Sequence, residues 1–326
     1  MAGPVPQTPQ CADAVLMVEP ASFGANAETA ASNAFQHAQQ REGAAPATSG
    51  ADLNARARAE FAGLARALSA EGVRVHVAAD DPDPPRPDAV FPNNWVSLHA
   101  DGTRVLYPML APNRRSERRI DIVDAACEAL GFRLRRTVDL SFHEREGRFL
   151  EGTGSLVLDH VQRVAYACRS PRTDEALVRE WAAQLGYEPE VYTATDAGGA
   201  PYYHTNVVMW IGSRCAVLCS ESLADADRAR VRARLERSGR EVIDITRAAV
   251  AAFAGNMLEL ATWDEALGDA SVLVMSATAR AALDERTWQA LSGSVDAVVV
   301  APVPTIEWYG GGSVRCMLAE VPATGA

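Results

Sequence analysis

The sequence repeats one pattern five times: an amphipathic helical stretch that runs into a glycine and then into a β-rich segment. The glycines are Gly72, Gly131, Gly186, Gly239 and Gly293, at successive spacings of 59, 55, 53 and 54 residues. Glycine suits the end of a helix because it adopts a left-handed backbone conformation without a Cβ clash. A near-constant period of this length predicts an internal structural repeat.

Two strand-like runs precede each of the later helices, as in residues 155–159 with 163–168 and residues 207–211 with 216–219. The repeating unit is therefore predicted to be strand–strand–helix–strand (ββαβ). One such unit buries little apolar surface, so the five units must pack against one another, and a ring leaves no unit exposed at an end. We predict the α/β class, with a five-bladed pseudo-symmetric α/β propeller of ββαβ units as a single domain over residues 1–326.

The helix ahead of Gly72 shows the apolar pattern that such packing requires. Apolar residues recur at steps of three and four, which places them in one stripe on a helix. The stripe consists of Leu53, Ala57, Phe61, Leu64 and Leu68. Two irregular segments, residues 24–50 and 80–90, are predicted to be surface loops, and residues 24–50 equally suit a lid over a binding site.

The composition excludes several classes of function. All 31 basic residues are arginine, so lysine-dependent chemistry such as a Schiff base or a Walker-type phosphate loop is ruled out. With 42 acidic residues the net charge is −11, which argues against nucleic-acid binding. There is no apolar run of membrane-spanning length and no signal-peptide pattern at the start, so we expect a cytoplasmic protein without membrane contact.

The six cysteines are expected to be free thiols in that compartment. Cys215 and Cys219 lie in one apolar run without a neighbouring histidine or cysteine ligand, which favours buried structural thiols over a zinc site. We therefore predict no metal and no organic cofactor.

Polar residues stand at equivalent positions where the first strand of each unit begins. These positions hold Asn94, Glu151, His204, Asn256 and Cys316. Equivalent positions in a ring converge on its axis, so a thiol, an imidazole and a carboxylate are expected to meet at one point. This set is typical of a cysteine-based active site.

Each residue alone has a simpler interpretation. A lone cysteine or histidine in an apolar stretch is most often a core residue, but a desolvated Glu151 is costly without a partner. The glycines at 310–312 allow the backbone to approach a ligand closely beside Cys316. The occurrence of Cys316, His204 and Glu151 at equivalent repeat positions favours the catalytic interpretation over a purely structural one.

Other polar residues are expected to be structural. This group contains His37, His76, His99, His143 and His160, together with Arg315. The arginine run at 114–119 is expected to be a solvated helix start, with contact to a substrate carboxylate as the alternative.

Four blocks of sequence resemble those of the guanidino-group-modifying superfamily, which contains the amidinotransferases and arginine deiminase and has the pentein fold. The blocks are Phe91-Pro-Asn-Asn-Trp, Leu150-Glu-Gly-Thr-Gly, Tyr203-His-Thr-Asn and Gly310-Gly-Gly-Ser-Val-Arg-Cys. The resemblance runs from Leu16 to Met317 and is closest to the citrulline-utilisation hydrolases. It implies Cys316 as nucleophile, His204 as general acid/base and Glu151 as its acidic partner.

The chain departs from the arginine-handling branch of this superfamily at two positions. That branch characteristically has aspartates that hold the cationic guanidinium, whereas this sequence has Asn94 and Asn206. An amide both donates and accepts, so it can satisfy a neutral ureido group. We predict Asn93, Asn94, Asn206 and Asn256 as substrate-binding residues.

The predicted function is therefore cysteine-dependent hydrolysis of citrulline to ornithine, ammonia and CO₂ through a covalent Cys316 intermediate. Two alternatives remain open. The first is a guanidine hydrolase of the arginine deiminase or dimethylarginine hydrolase type, or an amidinotransferase. The second is a non-catalytic pentein binding module. The expected partner is a small ureido or guanidino amino acid, with no nucleic acid and no membrane, and a homo-oligomer is possible.

Overall fold

A computed structural model describes residues 9–36, 50–264 and 268–324 of the chain. Among these residues the strands form five separate three-stranded sheets. Their bounds, sheet by sheet, are Ala14–Glu19 (β1), Arg74–Ala79 (β2) and Ala319–Val321 (β15); Val96–His99 (β3), Thr103–Leu106 (β4) and Arg136–Asp139 (β5); Val157–Asp159 (β6), Val164–Cys168 (β7) and Glu188–Tyr192 (β8); Met209–Ile211 (β9), Cys215–Leu218 (β10) and Glu241–Asp244 (β11); Leu258–Asp264 (β12), Gly268–Ser276 (β13) and Ala297–Ala301 (β14).

Every sheet has the same topology. An inner strand pairs antiparallel with a middle strand, which pairs in parallel with an outer strand, as in β3, β4 and β5. The parallel pair requires a crossover, and a helix supplies it in each unit. In the first sheet the inner strand is β15, which pairs with β1 so that Val321 lies opposite Ala14. The predicted five-bladed α/β propeller of ββαβ units is confirmed.

Within the described ranges, five longer α-helices make the crossovers and five short ones lie in the connections. The crossover helices are Gly50–Ala70 (α2), Ile120–Leu130 (α3), Glu175–Leu185 (α5), Asp225–Arg237 (α6) and Glu285–Ser292 (α9), and the short helices are Ala27–Ala30 (α1), Gly152–Ser155 (α4), Arg247–Ala251 (α7), Ala277–Ala282 (α8) and Pro304–Gly310 (α10). The predicted apolar stripe of α2 is confirmed, because all five of its residues are buried.

Four of the five repeat glycines adopt the predicted left-handed conformation, with φ between 71° and 82°. Gly293 is the exception. It follows α9 with φ −75° and ψ −10°, a right-handed conformation open to any residue. The prediction for Gly293 was wrong because α9 ends in an additional right-handed turn, in which the Gly293 N–H bonds to the carbonyls of Gln289 and Leu291.

The five aligned polar residues do not start the inner strands, as the sequence suggested. Each precedes its inner strand by two or more residues, and most lie in or beside a short helical turn, such as residues 92–94, 205–207 and 314–317. The strand assignment failed because these turns are too short to show helical periodicity. The turns place the side chains beyond the strand ends, close to the axis of the ring.

The two irregular segments are not simple surface loops. Residues 80–90 bury Arg86 and Asp88, and the described part of the first segment buries Asn26, Thr29 and Asn33. Residues 37–49, which include His37, lie outside the described residues. Across the described ranges, no helix is both long and apolar enough to cross a membrane.

Candidate active site

Cys316 lies in the helical turn that precedes β15, four residues after the last of three consecutive glycines. Its side chain is buried, and that of Met317 packs into the same core. Gly311 has φ +63°, and a Cβ at Gly310 or Gly312 would lie 2.8–2.9 Å from the ring of Phe91. The glycines are therefore required both for the turn and for its close approach to Phe91.

His204 and Glu151 form a buried pair. The distance between His204 Nε2 and Glu151 Oε2 is 2.9 Å, and both side chains are at most 2% exposed. The second carboxylate oxygen of Glu151 accepts the backbone N–H of Leu110 at 3.1 Å. Arg172 Nη1 lies 3.2 Å from Glu151 Oε2. Every oxygen of this carboxylate is thus engaged, as a buried charge requires.

The electrostatics of the pair assign the proton. Burial alone raises the pKa of Glu151, but Arg172, the His204 hydrogen bond and Arg114 together hold that pKa well below its ordinary value. Burial lowers the pKa of His204 to about 4, against the opposing effect of Glu151. At neutral pH the carboxylate is charged and the imidazole is neutral, so Nε2–H donates to Glu151 and Nδ1 has a free lone pair.

Two asparagine amides surround the thiol. Asn256 Nδ2 lies 3.3 Å from Cys316 Sγ, and its Oδ1 accepts the backbone N–H of Arg315 at 3.2 Å. Asn206 Nδ2 lies 3.8 Å from the sulfur and donates to the Thr153 carbonyl at 3.2 Å. These amide donors can stabilise a thiolate or an oxygen that develops negative charge beside it.

Asn94 lies beside the histidine. A Cβ placed on Gly154 would meet His204 Nδ1 at 2.7 Å and Asn94 Nδ2 at 2.8 Å, so both nitrogens border the same small space. Asn94 Nδ2 donates to Asn93 Oδ1 at 2.9 Å, and Arg114 Nη1 donates to Asn94 Oδ1 at 2.8 Å. Asn93 therefore helps to fix the orientation of the Asn94 side-chain amide.

Cys316 and His204 line one cavity, which we call the front cavity. Its other lining residues are Thr29, Asn33, Asp88, Phe91, Asn94, Arg114, Arg172, Tyr203 and Gly310–Gly312. Among the predicted substrate-binding residues, Asn94 lines this cavity, Asn206 and Asn256 contact the sulfur, and Asn93 supports Asn94. Glu151 lies behind His204.

The sequence interpretation missed two charged residues of the front cavity, Arg172 and Asp88, and gave the arginine run that contains Arg114 a substrate contact only as the alternative. Arg114, Arg172 and Asp88 are all buried there. The solvated-helix interpretation of residues 114–119 is wrong for Arg114, because it is held at 2.8 Å by Glu117 and at 3.6 Å by Asp88. Burial raises the pKa of Glu117 to about 7, although Arg114 lowers it. Only the arginine run was visible in the sequence, because Asp88 and Asn94, which also contact Arg114, come from another segment.

Residues 24–36, here called the covering segment, contact the front cavity at three points. Asn33 Nδ2 donates to the carbonyls of Gly310 and Gly311 at 3.3 and 3.2 Å. Arg172 donates to Ser32 Oγ at 2.8 Å and to the Thr29 carbonyl at 3.3 Å. Asn26 Nδ2 donates to Asp88 Oδ2 at 2.7 Å. The covering segment is thus fastened to residues that line the cavity.

The residues assigned to structure lie away from the front cavity. His99, His143 and His160 contact Ser97, Glu146 and Tyr187 respectively. Arg315 lies in a helical turn and pairs with Glu320 at 2.7 Å. Cys215 and Cys219 are buried free thiols.

One family model matches residues 19–323 of the chain, and its description is "N,N dimethylarginine dimethylhydrolase, eukaryotic". The chain belongs to this family. No curated protein sequence shows a significant match. The family lies within the guanidino-group-modifying superfamily of pentein fold, as the sequence blocks indicated, and its members are hydrolases that act on C–N bonds other than peptide bonds. The protein is an enzyme of this superfamily.

Solved structures with low sequence identity share the fold. The N-terminal domain of ArgZ, an arginine dihydrolase from cyanobacteria, has a TM-score of 0.71 at 17% identity, covering 95% of this chain and 98% of that one. AgrE in complex with L-arginine has a TM-score of 0.71 at 18% identity, with 96% of this chain covered but only 40% of AgrE. A dimethylarginine dimethylaminohydrolase adduct with S-methyl-L-thiocitrulline has a TM-score of 0.60 at 14% identity, covering 94% and 98%.

Proposed function

We propose that the protein hydrolyses the ureido group of citrulline, giving ornithine, ammonia and CO₂, with Cys316 as nucleophile. The observation that carries this proposal is the charge of the front cavity. Among its described lining residues Asp88 is the one carboxylate, and it lies beside Arg114. Arg114 and Arg172 also line the cavity, each paired with a buried glutamate, and the polar group beside His204 is the amide of Asn94.

A guanidinium group would be unfavourable in this setting. Its positive charge requires a carboxylate partner when it leaves water. Glu151, the nearest candidate, already holds His204, Arg172 and the backbone of Leu110. A neutral ureido group requires only a donor and an acceptor, which asparagine provides.

The charged groups of the front cavity suit the amino-acid end of the substrate. Arg114 and Arg172 present guanidinium groups that can bind an α-carboxylate. Asp88 Oδ1 is buried and has no hydrogen-bond partner within the described part of the chain, so it can accept from an α-ammonium group. Burial raises the pKa of Asp88 although Arg114 lowers it, and an ammonium ligand would favour its charged form.

The first half of the reaction forms a covalent intermediate. His204 Nδ1 takes the proton of the Cys316 thiol, and the resulting thiolate attacks the ureido carbon, so that the carbonyl oxygen becomes an oxyanion near the amides of Asn206 and Asn256. His204 then delivers a proton to the terminal nitrogen, the C–N bond breaks, and ammonia leaves. The product is a thiocarbamate that joins the sulfur to the side-chain nitrogen of ornithine.

The second half restores the enzyme. His204 Nδ1 takes a proton from a water molecule, which attacks the thiocarbamate carbon and displaces the sulfur. The resulting carbamate takes up a proton and loses CO₂ to give ornithine. Glu151 orients the imidazole in both halves and raises its basicity.

Citrulline cannot enter the front cavity in the described conformation. The free volume there is about 10 Å³, which is the space of about one water molecule. The covering segment must therefore open to admit the substrate, in line with the predicted lid. Arg172 and Asp88 hold that segment and also serve the substrate's amino-acid end, so substrate binding and opening are linked.

The direct test is a substrate panel. The purified protein is incubated with citrulline labelled with ¹³C at the ureido carbon, and separately with arginine, dimethylarginine and agmatine. The expected result is stoichiometric ammonia, ornithine and labelled CO₂ from citrulline alone. Cys316→Ser and His204→Ala proteins are the controls and are expected to lose turnover.

Two results would overturn the proposal. One is turnover by Cys316→Ser at the wild-type rate. The other is ammonia from arginine with citrulline left intact. Arginine is the second candidate substrate, because the family is that of dimethylarginine hydrolases and AgrE is described in complex with L-arginine. Conversion of arginine would require Asp88 or Glu151 to change partners.

A further inference from the structure

A second cavity lies along the ring axis behind the sulfur, and we call it the rear cavity. Its wide part has a volume of about 220 Å³ and its narrow part about 30 Å³. Both parts are lined by Gln10, Thr153, Leu158, His160 and Glu320 and therefore adjoin. Asn206 lines the narrow part and also contacts Cys316 Sγ, so it forms part of the wall between the two sites.

The narrow part contains buried acceptors without partners. Glu259 Oε1 and Asn206 Oδ1 are buried, and neither has a hydrogen-bond partner among the residues that the structure describes. Glu259 is 3% exposed, and its other oxygen accepts the backbone N–H of Ser213 at 2.7 Å. A buried carboxylate with one open oxygen is costly unless a donor occupies the space before it.

The charges of the rear cavity select a cation. Glu259, Glu320 and Asp13 line it, and Asp13 is paired with Arg74 at 2.7 Å, whereas Arg315 is its one arginine among the described lining residues. Arg315 is held by Glu320 at 2.7 Å. Burial lowers the pKa of His160, so this imidazole adds no positive charge near neutral pH. An anionic ligand would meet repulsion here.

The wide part is mostly apolar. Val96, Leu98, Leu158, Ala261 and Pro322 line it. Its volume of about 220 Å³ exceeds that of an engineered cavity of roughly 150 Å³ known to bind benzene. A short aliphatic chain therefore fits in the wide part while a small polar head occupies the narrow part.

We propose that the rear cavity binds a primary alkylammonium compound, with the ammonium head at Glu259 and Asn206 and the chain in the wide part. An ammonium group supplies three donors for the two open acceptors. Because Asn206 spans both sites, a ligand that holds its Oδ1 also fixes its Nδ2 toward the sulfur. This site is independent of the proposed reaction, which uses the front cavity.

The test is calorimetric titration with n-butylammonium chloride. The protein carries Cys316→Ala and is saturated with citrulline. If citrulline does not bind, the same protein is titrated without it. The result at the rear cavity therefore does not depend on whether the proposed function is correct. Binding is expected, and Glu259→Gln should weaken it at least tenfold. Glu128→Gln is the matched control, because Glu128 is exposed on α3. The affinity of this variant for n-butylammonium should equal that of the parent protein.

A second variant keeps the proposal testable if the Glu259→Gln protein does not fold. Ala261→Phe fills the wide part while leaving the Glu259 carboxylate in the chain, and it is also expected to abolish binding. A tetramethylammonium titration is the ligand control, since that cation has no N–H donor and should not bind. The proposal fails if n-butylammonium does not bind, so that only water occupies the cavity, or if both variants bind it as tightly as the parent.

Discussion

His204 Nε2 lies 2.9 Å from Glu151 Oε2, and the same carboxylate oxygen receives Arg172. One buried carboxylate thus orients the proposed general base and neutralises an arginine of the substrate cavity. Removal of its charge is expected to affect both functions.

Glu151→Gln tests this double role. The variant should lower kcat by about 10²- to 10⁴-fold, the usual contribution of a positioned acid/base group. Glu151 raises the pKa of His204, so the pKa should fall further below about 4, and an NMR titration of the imidazole measures this. Glu128→Gln is the control. An unchanged imidazole pKa would contradict the assignment of the pair.

Asn206→Asp and Asn94→Asp test the basis of substrate choice. A carboxylate at either position creates a partner for a guanidinium, and a charge-assisted hydrogen bond of about 1.5–3 kcal/mol corresponds to roughly 10- to 100-fold in affinity. Both variants should lose kcat/KM for citrulline and gain affinity for arginine. Gln162→Glu makes the same change of amide to carboxylate at an exposed position outside the front cavity, and it should change neither. If both site variants kept the wild-type preference for citrulline over arginine, the neutral amides would not be the basis of substrate choice.

Gly154→Ala tests the packing around the histidine. Its Cβ would lie 2.7 Å from His204 Nδ1, so the imidazole must move and kcat should fall at least tenfold. Gly63→Ala is a matched control inside α2, with no atom within 4 Å of the added Cβ. It should leave kcat unchanged and stabilise the protein by about 0.5–1 kcal/mol. Thermal unfolding and steady-state kinetics measure both effects.

Asn33→Ala tests the covering segment. The variant loses the donor to the carbonyls of Gly310 and Gly311, which holds the segment over the cavity. The closed state should be less populated, so KM for citrulline should rise several-fold with a smaller change in kcat. Limited proteolysis should cut the segment faster in the variant. A wild-type KM together with wild-type proteolysis would exclude a lid role for this contact.

The depressed pKa of His204 predicts acid sensitivity. The folded state holds this pKa at about 4, below the ordinary 6.5, so the unfolded state binds more protons between these values. The stabilisation is complete above pH 6.5 and is lost as the pH falls to about 4. Glu117, whose raised pKa acts in the opposite direction, is unchanged in His204→Asn. The stability difference between wild type and His204→Asn should therefore shrink on acidification, as urea unfolding at pH 7, 5.5 and 4 can measure.

The repeat pattern predicted the fold because the interactions that form each helix and its end depend on residues close together in the sequence. An apolar stripe such as that of α2 and a glycine such as Gly131 are visible in a short stretch of sequence. Gly293 shows the limit, since a helix can also end in a right-handed turn that the same residue tolerates.

The site was only partly predictable. Glu151, His204 and Cys316 stand at equivalent repeat positions, so the symmetry of the ring indicated that they would meet. Asp88 and Arg172 belong to irregular connections without a repeat register, and their burial depends on contacts with distant segments. The charged lining of the front cavity was therefore invisible before the fold was known.

The pairing of β15 with β1 has a consequence for biosynthesis. Cys316 lies just ahead of the strand that joins the late part of the chain to its early part. While the ribosome is still adding that strand, the thiol has no fixed place opposite His204. The active site is thus completed only when β15 pairs with β1, and the nascent chain does not carry an activated thiol before that step.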